Sequence, residues 1–200
     1  MHALTHIGSS PSESLGTPSD RPFPRGRGRA RLPDVAIADA AGSAAFVGRA
    51  QERERVRSIL RGARDGQMAA LLVSGDAGIG KTRLVRHVCA DGAADAGLLV
   101  MSGVCLPMGA TTVPLMPLRT AVRRLPEGVP APDLDDVVHR GGAPVAVDAW
   151  LDRICRDRAV VLVVDDVQWA DEPSLDVLTY LLAGPPDRSL GLLLTLRSDE

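Results

Sequence analysis

Apolar positions along this chain keep two rhythms that alternate from about residue 49 onward. Val56, Ile59, Leu60 and Ala63 recur at i, i+3, i+4 and i+7, which is one face of an α-helix. Glu52 and Glu54 stand early in that stretch and Arg57, Arg61 and Arg64 late, the order that suits a helix dipole. Residues 68–74, Met-Ala-Ala-Leu-Leu-Val-Ser, then form a short apolar run ending at a glycine-rich loop, the pattern of a parallel strand buried on both faces. Leu84, Val85, Val88 and Cys89 mark a second helix, and residues 97–104 read as a second strand. Residues 114–125 are predicted helical or partly so. Residues 126–145, rich in Pro, Gly and Asp, read as a variable surface connection. A helix over 146–156 leads into a strand over 159–164, and Pro173 opens a further helix through Leu182, since proline suits a first turn. Gly184 and Pro185 stop that helix, and 190–196 is a last apolar strand. Strands and helices alternating at these lengths imply right-handed crossovers and a mainly parallel sheet covered on both faces, a three-layer α/β/α architecture.

Residues 1–45 break the rhythm. They are rich in Ser, Pro, Gly and Arg, include Arg25-Gly26-Arg27-Gly28-Arg29, and read as a disordered leader before a domain over 46–200. An Arg-Gly tract can bind RNA, but this one is short and flanked by acids, so plain disorder is the reading. Composition adds little against a globular domain. Hydrophobic residues are 45% and charged residues 24%, while aromatic residues at 2% leave a core of Leu, Val and Ala. A net charge of −2 gives the whole chain no electrostatic reason to take nucleic acid or an anionic membrane as partner. Cys89, Cys105 and Cys155 lack the spacing of a zinc site or a disulfide framework and read as reduced thiols; the four histidines are scattered. No apolar run reaches a membrane span and no signal-peptide core opens the chain, so the expected compartment is the cytoplasm.

The candidate chemistry sits in Gly75-Asp76-Ala77-Gly78-Ile79-Gly80-Lys81-Thr82, a complete Walker A phosphate loop between strand and helix. Gly75, Gly78 and Gly80 let backbone N–H groups wrap closely around phosphate oxygens, some at positive φ. Lys81, the sole lysine of the chain, offers a compact ammonium to the β and γ phosphates, and Thr82 a hydroxyl to Mg²⁺. Residues 160–166, Val-Val-Leu-Val-Val-Asp-Asp, deliver two carboxylates at the carboxyl end of a strand, where open α/β sheets place ligands. This reads as Walker B: Asp165 holds Mg²⁺ directly or through water, and Asp166 orients or deprotonates the attacking water. Arg197, at the end of the last strand, is either a sensor of the γ-phosphate or a solvated strand-end arginine; spacing leaves both open. Trp169 reads either as packing beneath the catalytic loop or, the better reading, as core packing, and Asp171 as a cap for the helix opened by Pro173.

Taken together, these segments resemble the ATPase module of the STAND class within the AAA-like P-loop superfamily, in particular that of large ATP-binding regulators of the LuxR family. The resemblance is carried by Phe46-Val47-Gly48-Arg49, by the Walker loop continued through Arg83-Leu84, by Val163-Val164-Asp165-Asp166-Val167-Gln168-Trp169-Ala170-Asp171, and by Leu194-Thr195-Leu196-Arg197. It spans about 46–200. It implies that Val47, Gly48 and Arg49 lie near the adenine and that Arg197 is the sensor arginine, with Arg83 among the nucleotide contacts. It implies ATP and Mg²⁺ as cofactors, switching between resting and self-associated states, and DNA reading only through a helix-turn-helix segment that this chain does not contain. Such domains add a strand and a lid after the sensor strand, so a sheet incomplete at its C-terminal edge is expected. A nucleotide-binding module without hydrolysis and a small P-loop kinase remain as alternatives; a GTPase is disfavoured, for no Asn-Lys-x-Asp sequence occurs.

Overall fold

A computed structural model of the chain describes residues 2–7, 49–93, 97–108 and 113–198, with 2–7 described as backbone. The first predicted helix is α1, Ala50–Arg64, with its apolar stripe Val56, Ile59, Leu60 and Ala63 buried. It leads to strand β2, Ala69–Gly75, and after the glycine loop to helix α2, Lys81–Ala93. Strand β3 is Leu98–Val104 and helix α3 is Met116–Val122. Helix α5, Ala143–Cys155, precedes strand β4, Ala159–Asp165, and helix α6, Glu172–Leu182, precedes strand β5, Leu190–Arg197.

All described strand pairs are parallel, and the order is β1-β2-β5-β4-β3, where β1 is His2–Ile7. The layers follow from a period of two along each strand. In β4, Val161 and Val163 face α1 and α2 together with Leu71, Val73 and Leu193, whereas Val160, Leu162 and Val164 face the opposite core under α3, α5 and α6. Two strand glycines permit close approach of a helix. A Cβ on Gly191 of β5 would lie 2.8 Å from Ile59 Cγ2 of α1, and one on Gly103 of β3 would lie 2.0 Å from the Pro117 carbonyl oxygen of α3. Cys89, Cys105 and Cys155 are free thiols, and burial pushes the first two up to about 12.

Three expectations change. The stretch 126–145 contains a short helix α4, Leu134–Arg140, which forms because the Asp133 side chain accepts from the Asp135 and Asp136 amides. The leader does not begin as a structureless segment: β1 pairs in register with β2, from His2 opposite Ala70 to Ile7 opposite Gly75. The partner there is the row of backbone groups on the outer side of β2, which composition does not reveal. The rest of the expected leader lies outside the described residues. The last strand, β5, is interior, between β2 and β4, and the far side of β2 carries β1. Lastly, Trp169 is not core packing. It is 37% exposed, in a single 3₁₀ turn over Val167–Trp169, and lines a cleft of about 270 Å³ with Met108 and Met116. The buried indole is that of Trp150, whose N–H donates to the Pro130 carbonyl at 2.7 Å.

Candidate functional site

Because β5 lies between β2 and β4, the carboxyl ends of three strands bring Gly75, Arg197 and Asp165 to one rim of the sheet. The loop from Gly75 to Gly80 turns above that rim, with Gly78 at φ 74° and Gly80 at φ 91°, conformations that side chains disfavour. Ala77 is exposed at its apex. Lys81 starts α2 and is 6% exposed; its ammonium folds back to donate to the Gly75 carbonyl at 2.6 Å and the Asp76 carbonyl at 2.8 Å. Ser198 holds the same loop from the end of β5, donating its N–H to Gly75 O at 3.2 Å and its hydroxyl to Asp76 Oδ1 at 3.2 Å.

Across the rim, the Asp165 carboxylate is 2% exposed and sits among three donors. Thr82 Oγ1 and Thr195 Oγ1 each donate to Oδ1 at 3.1 Å, and an Arg86 Nη donates to Oδ2 at 3.3 Å. Burial pushes the Asp165 carboxyl above its ordinary value; Arg86 first, then the two hydroxyls, oppose that shift. An ionised carboxylate this deep costs several kcal/mol unless partnered, so the cluster around it is what makes the position tenable.

Asp166 adopts the left-handed region, φ 57° and ψ 52°, which turns its side chain away from that of Asp165. Its amide donates to Thr195 Oγ1 at 2.9 Å. Its carboxylate meets Arg197, with Nε to Oδ1 at 3.3 Å, and Gln168, whose side-chain NH₂ donates to Oδ1 at 3.3 Å. Gln168 also accepts from the Arg197 amide at 3.2 Å, closing a small ring over the end of β5.

The sequence-derived candidates are thus distributed as follows. Lys81, Thr82, Asp165, Asp166 and Arg197 come together at the rim, the last paired with Asp166. Arg49, at φ 55°, reaches the phosphate loop and donates to the Ile79 carbonyl. Arg83 is exposed on the first turn of α2. Val47 and Gly48 lie outside the described residues. Asp171 caps α6 as expected, accepting from the Ser174 amide at 3.0 Å, and it also accepts from the Leu115 and Met116 amides at the start of α3. Sequence reasoning assigned no role to Arg86, Thr195, Gln168 or Ser198. Signals existed for two of them: Thr195 is the one polar side chain in the run 190–196, and Arg86 follows Thr82 by one helical turn.

These residues suit a nucleotide with its metal. Arg49 Nη1 is buried without a hydrogen-bond partner and lies 3.9 Å from where a Gly80 Cβ would be, so a donor is left facing the loop. The hydroxyl of Thr82 beside the carboxylate of Asp165 is an all-oxygen pair of the kind Mg²⁺ prefers. No helix among the described residues is long and apolar enough to cross a membrane.

No curated protein matches the chain in sequence. Among solved structures, PCH-2 of C. elegans is 14% identical with a TM-score of 0.38, over 74% of this chain and 36% of that one. The Drosophila ORC structure bound to GC-rich DNA and Cdc6 is 16% identical with a TM-score of 0.36, over 76% of this chain and 55% of that one. The chain therefore spans between a third and somewhat over half of these structures' lengths. The model of the AAA ATPase domain family matches residues 45–194, and the chain belongs to that family.

Proposed function

We propose that this AAA ATPase domain is the ATP-binding switch of a LuxR-family transcriptional regulator and turns ATP over slowly. The observation that carries the ATP site is the convergence of Lys81, Thr82 and Asp165 on one rim through the 3.1 Å Thr82–Asp165 bond. In this reading Gly75, Asp76, Ala77, Gly78, Ile79 and Gly80 offer backbone donors, Lys81 leaves its two carbonyls for phosphate oxygens, and Val47, Gly48, Arg49 and Arg83 complete the nucleotide contacts. Thr82 and Asp165 hold Mg²⁺. Bound Mg²⁺ supplies charge neutralisation on the phosphates and polarises them for attack.

Asp166 is the candidate base, and its pairing with Arg197 and Gln168 supports slow turnover. Arg197 and Gln168 occupy the Asp166 carboxylate, so Arg197 must leave Asp166 before Asp166 can orient or deprotonate water. Arg197 then becomes free to stabilise charge, which is the sensor role. That exchange of partners is a two-state element of the kind a switch requires. The same pairing favours a second reading, a nucleotide-binding module that does not hydrolyse.

ATP affinity and phosphate release separate the readings. Lys81→Ala is expected to weaken ATP binding by at least about ten-fold, the loss of one charged contact. Asp166→Asn is expected to keep ATP binding and to abolish phosphate release. Unchanged affinity in Lys81→Ala rejects the phosphate-loop assignment, and tight binding without any release by the unaltered chain selects the second reading. The regulator role and DNA as a partner rest on the family resemblance; they are tested by whether the reading frame extends into a helix-turn-helix segment whose DNA retention depends on ATP.

A further inference from the structure

The Asp165 carboxylate has two sides with different partners. Oδ1 is taken by the Thr82 and Thr195 hydroxyls, and Oδ2 by Arg86 alone. Arg86 stands four residues after Thr82 on α2, so both side chains rise on one helix face, and long helical side chains lean toward the helix amino terminus, here toward the phosphate loop. Its contact with Asp165 is a single bond at 3.3 Å, longer than the 2.7–2.9 Å usual for a charged pair and without the two-pronged geometry that arginine prefers. Its Nε is buried and has no hydrogen-bond partner, while the side chain as a whole remains 37% exposed. Arg86 is thus held against a buried anion by charge rather than by fitted hydrogen bonds, with solvent on its other side.

We infer that Arg86 is a built-in counter-cation for Asp165, which neutralises the carboxylate when no metal is present and competes with the divalent cation for Oδ2. This rests on the reading of Asp165 as a metal ligand. A guanidinium and a divalent cation both seek the same oxygen, and only one of them can hold it closely. Arg86 therefore acts as a positioning residue: it keeps the site assembled in the metal-free state and sets how strongly metal and nucleotide binding reinforce each other. Arg197 stands in the same relation to Asp166, so each of the two acidic side chains carries its own arginine.

The test is the affinity of the full chain for a fluorescent ATP analogue, measured in excess Mg²⁺ and in EDTA, with the ratio of the two as readout. Arg86→Gln is expected to raise that ratio about ten-fold, within the usual span of coupling between two ligands, because the metal no longer displaces a cation. Its affinity in EDTA is expected to fall, since the Asp165 charge then stands unneutralised beside the phosphates, so the metal-free arm contributes to the rise in the ratio. Arg86→Lys keeps the charge on a shorter reach and is expected to give a ratio between the two; it serves should the glutamine variant fail to fold by circular dichroism. A ratio unchanged or lowered in the folded variant overturns the inference. Asp165→Asn in the same series keeps the failures apart: if it retains the ratio of the unaltered chain, the metal-ligand reading falls whatever Arg86 does.

Discussion

At the scale of single residues, the side chain that decides most is Asp165. Its folded-state affinity for a proton is raised by burial, more than Arg86, Thr82 and Thr195 take back. A carboxyl whose folded value exceeds its unfolded one favours the folded state when protonated, at low pH. That contribution is lost as pH rises through the folded value. Asp165→Asn removes the ionisation and keeps an acceptor for both hydroxyls, so it is expected to raise the melting temperature of the nucleotide-free chain at pH 7 to 8. The gain should shrink as pH falls toward the ordinary carboxylate range and vanish below it, where both forms are neutral. Thermal melts of both chains across that window check this; a gain independent of pH would show that ionisation is not the cause. The meeting of Lys81, Thr82 and Asp165 at one rim was legible because the phosphate loop and the strand ending in Asp-Asp are local patterns. Arg86, Thr195 and Gln168 were not, for each acts on a residue between 2 and 79 positions away through an orientation that only the assembled sheet provides.

Among elements, the tightest junction lies between β3 and α3. Gly103 has no side chain where the backbone of Pro117 passes, and the Val104 amide donates to Thr120 Oγ1 at 3.2 Å beside it. A methyl group there would meet backbone atoms at 2.0 to 2.9 Å, which no rotamer change relieves. Gly103→Ala is therefore expected to destabilise the chain by about 3 kcal/mol or more, the range of overpacked cores, read as a shift in the urea midpoint. Gly97→Ala, where a Cβ meets nothing within 4 Å but φ is +102°, isolates backbone strain and is expected to cost less, about 1 kcal/mol. Most elements were legible, because apolar periods of two and 3.6 survive in a core built from aliphatic side chains. Helix α4 was not: it buries Leu134 alone and depends on the Asp133 cap, a signal drowned by the surrounding Pro and Gly. Trp169 misled for the opposite reason, since a large apolar side chain suggests burial while the turn after Asp166 carries it to the surface.

For the whole molecule, what matters is which strands close the sheet. The four strands from β2 to β3 form one parallel unit with two cores, and β1 adds to the outer side of β2 over six paired positions. The inner side of β2 is bound to β5 over seven positions, from Ala69 opposite Gly191 to Gly75 opposite Arg197, and this pairing delivers the phosphate loop to the rim. Removal of residues 2–7 therefore ought to leave the loop in place, anchored by β5, Lys81 and Ser198, while baring one row of β2 amides and carbonyls. Two consequences are expected together. Amide hydrogen exchange should accelerate within 69–75 but not in β4, and the shortened chain should self-associate more readily by light scattering, since an uncovered flat strand edge is a template for another chain. ATP affinity, by contrast, should change little. If exchange in 69–75 is the same with and without residues 2–7, β1 does not cover that edge in solution; if β4 exchanges faster as well, β1 supports the whole sheet and not its edge alone.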